Sequence, residues 1–305
     1  MEIISSSIDE PIAADRQSRI HVLPDGGRIG YAEYGDPRGL PVLALHGTPG
    51  SRLMFALADA DARDRGLRLI APERPGYGLS DRRHWETLHG AAEDIRILAD
   101  ALGFDRFAVV GVSGGGPYGI AAAESMPERV LLLALVGPVG PIADYGSKMR
   151  MSRMHRLIFG PLARSPFARS LFFFGLRRLL RTAPEAAYRG LMARVPPSDR
   201  DILAGQDVKA SLRAAVREGL RTGIEGAVQD VRLFSAPWRL SLAHIDVPAV
   251  LWQGSDDSVV PPDAAYWLAR TLPNCRLDVI QGAGHYWVFG QFGLVLDAVA
   301  AALRG

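Results

Sequence analysis

Short, continuous apolar runs alternate with helical stretches along most of the chain. Such runs stand at residues 41–45, 67–71, 107–112, 130–136, 249–253 and 277–280, and most of them stop at a glycine, proline or serine. Runs of this length, without polar alternation, predict strands buried on both faces. Near the start, Asp25-Gly26-Gly27 separates a segment at 20–23 from one at 28–34, a turn signal that predicts an antiparallel hairpin. Between the runs, Ala91, Ile95, Leu98 and Leu102 mark one face of a helix over 91–102, and 114–126 and 262–272 also read as helices. The pattern predicts an α/β fold: a mainly parallel sheet of roughly eight strands with helices on both faces. Sites in such sheets form at the carboxyl ends of the strands. His46, Ser113 and Asp257 each follow a predicted strand, so they are expected along one edge.

The rhythm breaks at 141–238, where no strand is evident. From Lys148 to Arg232 there are fifteen Arg and two Lys against seven Asp or Glu, a net charge of +10. The whole chain carries only +2, so the remainder is acidic. The asymmetry predicts a helical module at 141–238 inserted into a core made of residues 1–140 and 239–305. The first 19 residues are polar and read as an irregular arm.

Composition narrows the function classes. The 305 residues are 48% hydrophobic and 22% charged, which fits a globular enzyme and excludes a disordered chain. The near-neutral total gives no reason to expect nucleic acid as a partner. The single cysteine, Cys275, excludes an internal disulfide and reads as a packing residue beside a strand rather than a catalytic thiol. The N-terminus lacks the pattern of a signal peptide, and the most apolar run, 130–136, is too short to span a bilayer; a cytoplasmic protein without a transmembrane segment is expected. No H-E-x-x-H and no cysteine pair occurs, so no metal and no cofactor is expected.

The most informative local pattern is Gly111-Val112-Ser113-Gly114-Gly115, which fits G-x-S-x-G between an apolar strand and a helix with Pro117 in its first turn. Such a turn lifts a serine hydroxyl clear of the sheet, and small neighbours let backbone and helix approach. A competing pattern, G-x-G-x-x-G over 114–119, would need an acidic residue roughly 20 positions later to hold a ribose. Residues 131–140 supply none.

Five segments together resemble the α/β-hydrolases with a helical cap. They are His46-Gly47-Thr48-Pro49-Gly50, Arg74-Pro75-Gly76-Tyr77-Gly78-Leu79-Ser80, the serine turn, Gly254 through Pro261, and Gly282-Ala283-Gly284-His285. The resemblance implies a serine hydrolase with Ser113 as nucleophile, His285 as general base and Asp257 as the acid that orients it. The acid, three residues and then Pro261 single out Asp257. Its neighbour Asp256 is an alternative, and Asp144 is another, because some relatives place the acid after the preceding strand. The resemblance further implies an oxyanion hole from the backbone N–H groups of Thr48 and Gly114, with His46 and Gly47 as supporting loop. It gives Arg74 to Ser80 no chemistry beyond shaping the core. His21, His84, His89, His155 and His244 are expected at the surface or in packing.

A serine at position 113 excludes the dehalogenases and epoxide hydrolases of this fold, which need a carboxylate there. Acyl transfer from a small-molecule substrate remains, with a carboxylester the broadest expectation. HGTPG is similar to the HGGPG of proline iminopeptidases, but Thr48 replaces a glycine. A C–C hydrolase, a lyase or cofactor-free oxygenase on the same scaffold, and a non-hydrolytic binding or signalling protein are the alternatives. Phe172, Phe173, Phe174 and Leu176 are expected to pack the core of the insertion rather than line an acyl pocket. Its arginines are either a solvated face or a contact for anions or a membrane surface.

Overall fold

The computed structural model describes residues 15–145 and 156–305. The expected arm therefore lies mostly outside the described residues, as does His155. The strands are β1 (Arg19–Val22), β2 (Arg28–Gly35), β3 (Leu40–Leu45), β4 (Leu67–Pro72), β5 (Phe107–Val112), β6 (Val130–Val136), β7 (Ala249–Gly254) and β8 (Cys275–Ile280). They form one eight-stranded sheet in the order β1-β2-β4-β3-β5-β6-β7-β8. β1 and β2 pair antiparallel, β2 pairs antiparallel with β4, and every other pairing is parallel.

The strand side chains divide between two cores in strict alternation. Leu43, Leu45, Val109, Leu133, Leu135 and Leu251 face α2 (His89–Ala101), α3 (Gly116–Ser125) and α10 (Pro262–Thr271). Val42, Ala44, Ala108, Val110, Ala134 and Trp252 face α1 (Asp59–Asp64) and α11 (Phe292–Arg304). This is why the runs read as continuously apolar: successive residues point to opposite faces, and both faces are covered.

Between β6 and β7 the described residues contribute helices and no strand: α4 (Ile142–Tyr145), α5 (Pro166–Thr182), α6 (Pro184–Met192), α7 (Pro197–Ala204), α8 (Gln206–Gly219) and α9 (Glu225–Ser235). Three of them start on proline, whose missing N–H costs nothing in a first turn. Ser165 caps α5 by accepting the Ala168 N–H at 3.2 Å. Phe173, Leu220, Ala227 and Val231 form a small core of their own with Tyr77. Phe172 and Leu176 pack against it, but Phe174 is exposed, so the aromatic run only partly serves packing.

Two differences from the sequence reading have simple causes. The helix expected over 114–126 opens as a tight 3-10 turn at Ser113–Gly115 before α3 begins. The terminal helix α11 has no counterpart among the expected elements, although Phe292, Val295, Leu296, Val299 and Ala300 recur at helical spacing and form its buried face. Among the described residues no helix is long and apolar enough to cross a membrane.

Candidate active site

β5 delivers Ser113 at the carboxyl end of the sheet, and the chain then reverses into α3. Ser113 holds φ 54°, a left-handed conformation that a non-glycine residue adopts only when its surroundings enforce it. The turn fits because position 115 has no side chain: a Cβ there would lie 2.1 Å from the Leu45 carbonyl oxygen.

Two loops bring partners to this hydroxyl. His285, after β8, places Nε2 3.1 Å from Ser113 Oγ and Nδ1 2.7 Å from Asp257 Oδ2. The carboxylate assigns the tautomer, with Nδ1–H donating to Asp257 and Nε2 left to accept from the serine. Asp257 is itself fixed, since Oδ1 accepts the Val259 and Val260 N–H groups at 2.8 and 2.7 Å. Gln253 donates to Oδ2 at 3.1 Å. Burial alone would depress the His285 pKa; the Asp257 charge and hydrogen bond outweigh it, helped by Asp199, and raise the imidazole above its ordinary value.

Asp256 is exposed and accepts the neighbouring Ser255 hydroxyl. Asp144 sits on α4. Across from the serine turn, Thr48 follows β3 in the loop that also holds His46 and Gly47. A Cβ added to Gly114 would collide with the Thr48 side chain and lie 3.2 Å from its backbone N, so the two backbone segments that carry the expected donors stand next to each other. His46 is wholly buried, and burial together with the nearby Arg74 charge drives its pKa well down. Its Nδ1 lies 2.8 Å from the Gly47 carbonyl, so a neutral ring donates there. His84, His89 and His244 are at the surface and His21 is half-buried. The Cys275 thiol is pushed up to about 11 by burial, an unreactive state at neutral pH.

Two carboxylates from the helical insertion also reach the site, and the sequence reading missed both. Asp230, on α9, is almost fully buried and accepts from five donors. Arg74 Nε and Nη2 approach it at 3.1 and 2.7 Å, and Tyr77 and Tyr118 hydroxyls at 2.7 and 2.5 Å. The Thr48 hydroxyl is the fifth. Arg74 spends its other N–H groups on the His46 and Gly47 carbonyls at 2.6 and 3.0 Å. The loop carrying Thr48 is thereby bolted to α9 through a buried ion pair, and the Arg74–Ser80 segment does more than shape the core.

Asp199, on α7, clamps the other side. Its two oxygens accept the His285 and Tyr286 backbone N–H groups, both at 2.8 Å. Gly284 makes room for it, because a Cβ there would fall 2.1 Å from Asp199 Oδ2. A signal for Asp230 was present: it shares the apolar stripe of Ala227, Val231 and Phe234, where an acid is out of place unless paired. Asp199 follows Pro196-Pro197-Ser198 in a first helical turn, and no sequence signal sets it apart.

Ser113, Thr48 and His285 share the wall of a cavity of about 1070 Å³ between the sheet edge and the insertion. Leu53, Met54 and Phe289 give it an apolar side. Among the described residues no cluster of three or more His, Cys, Asp or Glu could hold a metal ion.

Residues 41–290 match a family model described as the alpha/beta hydrolase fold. The chain is 25% identical over 274 residues to the 2-hydroxymuconate semialdehyde hydrolase of Pseudomonas putida, covering 87% of this chain and 86% of that one. It is 34% identical over 115 residues to the uncharacterized hydrolase YcgS of Bacillus subtilis, a match spanning 38% of this chain and only 39% of that protein. Among solved structures, a thermophilic esterase from Thermogutta terrifontis superposes with a TM-score of 0.68 at 22% identity, over 94% of this chain and 98% of the esterase.

Proposed function

The chain belongs to the α/β-hydrolase fold family, and from that premise we propose that it is a serine hydrolase that cleaves a carboxylic ester through an acyl-enzyme. The observation that carries this reading is the continuous relay Ser113 Oγ, His285 Nε2, His285 Nδ1, Asp257 Oδ2, with links of 3.1 and 2.7 Å, opening on a cavity. A neutral hydroxyl is a poor nucleophile, and a base within reach whose far side is held by an acid is what activates it.

In the first half-reaction Ser113 Oγ attacks the ester carbonyl while its proton passes to His285 Nε2. The imidazolium that forms is stabilised by Asp257. The negative charge on the former carbonyl oxygen is met by the Thr48 and Gly114 N–H groups, each worth about 3 kcal/mol in such a transition state. His285 then gives its proton to the departing alkoxide as the C–O bond breaks. In the second half water attacks the acyl carbonyl as His285 accepts its proton; the bond to Ser113 Oγ then breaks, the imidazolium returns that proton to Oγ, and the carboxylic acid leaves. No step requires a metal or an organic cofactor. Asp256, exposed and bonded to its neighbour Ser255, takes no part.

Cleavage of a carbon–carbon bond beside a carbonyl is the second reading, supported by the likeness to 2-hydroxymuconate semialdehyde hydrolase over most of both chains. The test is a fluorophosphonate probe together with p-nitrophenyl ester turnover. The expected result is a single adduct on Ser113 and hydrolysis that Ser113→Ala abolishes with the fold intact. An unlabelled Ser113, or undiminished turnover by Ser113→Ala, would overturn the reading. Turnover of dienoate ketones in preference to esters would favour C–C cleavage.

A further inference from the structure

The cavity over Ser113 has two kinds of wall on the same helices. Leu176 and Leu180 on α5, and Leu212 and Val216 on α8, line it with an apolar band. One position along stand Arg177 and Arg181 on α5, and Arg213 and Arg217 on α8, with Arg221 just past its end. Within each row the arginines recur every four residues, so they stack on one helical face.

These charges are poorly neutralised. Among the described residues Glu218 is the single acidic one on the cavity wall, and it is shared between Arg221 and Arg52. Arg213 shares Glu185 with Lys209. Arg177 donates to the Leu220 and Arg221 carbonyls, which hold its guanidinium in place without cancelling its charge. Arg181 and Arg217 have no ion pair among the described residues. Like charges four apart on a helix repel. Two such rows lining one cleft focus a positive potential into it, where low-dielectric walls strengthen the field. Arg177 is half-buried, and Arg181 and Arg217 are exposed where they meet the same cavity that Ser113 lines.

We propose that the cavity selects esters that carry an anionic group, a carboxylate or a phosphate, with the apolar band holding the chain and Arg177, Arg181 and Arg217 holding the anion. This inference rests on the acyl-transfer reading and adds to it the substrate class. Arginine suits the task because its planar fork meets carboxylate and phosphate oxygens in pairs.

The test compares matched p-nitrophenyl esters: the hydrogen suberate against its neutral terminal amide. A second pair places the charge on the leaving group, as 4-(octanoyloxy)benzoate against 4-(octanoyloxy)benzamide. In one pair or the other, kcat/KM for the anion should exceed that for the neutral twin by about tenfold at low salt. The ratio should shrink as sodium chloride rises. It should fall toward one in Arg181→Gln/Arg217→Gln and persist in Arg178→Gln, which removes a charge from α5 away from the cavity. Inorganic phosphate should compete with the anionic ester, which separates a phosphate-type site from one that takes carboxylates alone. Ratios near one in both pairs, with Ser113 labelled and the neutral ester turned over, would overturn this proposal and leave acyl transfer standing. No labelling and no turnover of any ester would overturn both. Loss of binding to phosphatidylglycerol vesicles in Arg181→Gln/Arg217→Gln, with the ester ratio unchanged, would assign the arginines to a bilayer surface and also overturn it.

Discussion

The turn at Ser113 and the helical insertion above it serve one site but are built by opposite rules. The turn is local. A strand, a serine with left-handed backbone, and glycines that admit the neighbouring strand all fall within a few residues. The insertion works at long range: Asp199 clamps a backbone 86 and 87 positions away, and Asp230 joins Thr48 across 182. The core carries the groups proposed to react. The insertion holds fixed charges that grip the loops beside them. A cover that only excluded water would have no need of two buried carboxylates ending on the Thr48 and His285 loops.

The comparison can be broken by substitution. The largest effect belongs to the core: Asp257→Asn should lower kcat by about 10⁴-fold with little change in structure, because the amide favours the wrong imidazole tautomer. Steady-state kinetics beside a thermal melt would check it. Next comes Asp230→Ala, which leaves the Arg74 guanidinium buried without its partner. Both side chains are nearly inaccessible, at 6% and 2%. A loss of about 3–5 kcal/mol in denaturant unfolding is expected, together with reduced turnover as the Thr48 loop loosens. Unfolding unchanged by this substitution would show that the insertion is only a cover.

Asp199→Asn should act more gently and more specifically. In the proposed mechanism the neutral form of His285 is the base, so activity should fall as pH drops through its pKa. Asp257 and, to a smaller degree, Asp199 raise that pKa above 6.5. Removing the Asp199 charge should therefore move the acidic limb of kcat/KM to lower pH, with about a tenfold loss at the optimum from the displaced imidazole. A limb that stays in place would reduce Asp199 to a structural prop. The smallest effect is expected for Asp256→Asn, within about twofold in both activity and stability, since this carboxylate is exposed and bonds only to its neighbour.

Much of the fold was legible because the strands are buried on both faces and so leave unbroken apolar runs. All eight strands were bracketed to within two residues by the apolar runs and the Asp25-Gly26-Gly27 turn. The period of α11 was equally present, in the buried stripe Phe292, Val295, Leu296, Val299 and Ala300, but its exposed side is marked by few polar residues, Asp297 and Arg304 among them. Ser113, His285 and Asp257, which the fold brings within hydrogen-bond reach of one another, could be singled out as candidates because each sits in a turn whose residue types are constrained by the turn itself. Arg74 could be seen in its motif but not understood, because its partner Asp230 lies on a helix 156 residues away.

By itself, then, the sequence determined the strand–helix order, the parallel sheet, the basic insertion and the tight bend at position 113, all of which follow from short-range pattern and backbone sterics. Tertiary structure decided which carboxylates end in the site and which arginines line one cavity. Hydrogen bonds and ion pairs between distant helices leave no periodicity in the chain, and only the packing of α5 to α9 over the sheet edge brings those charges within reach.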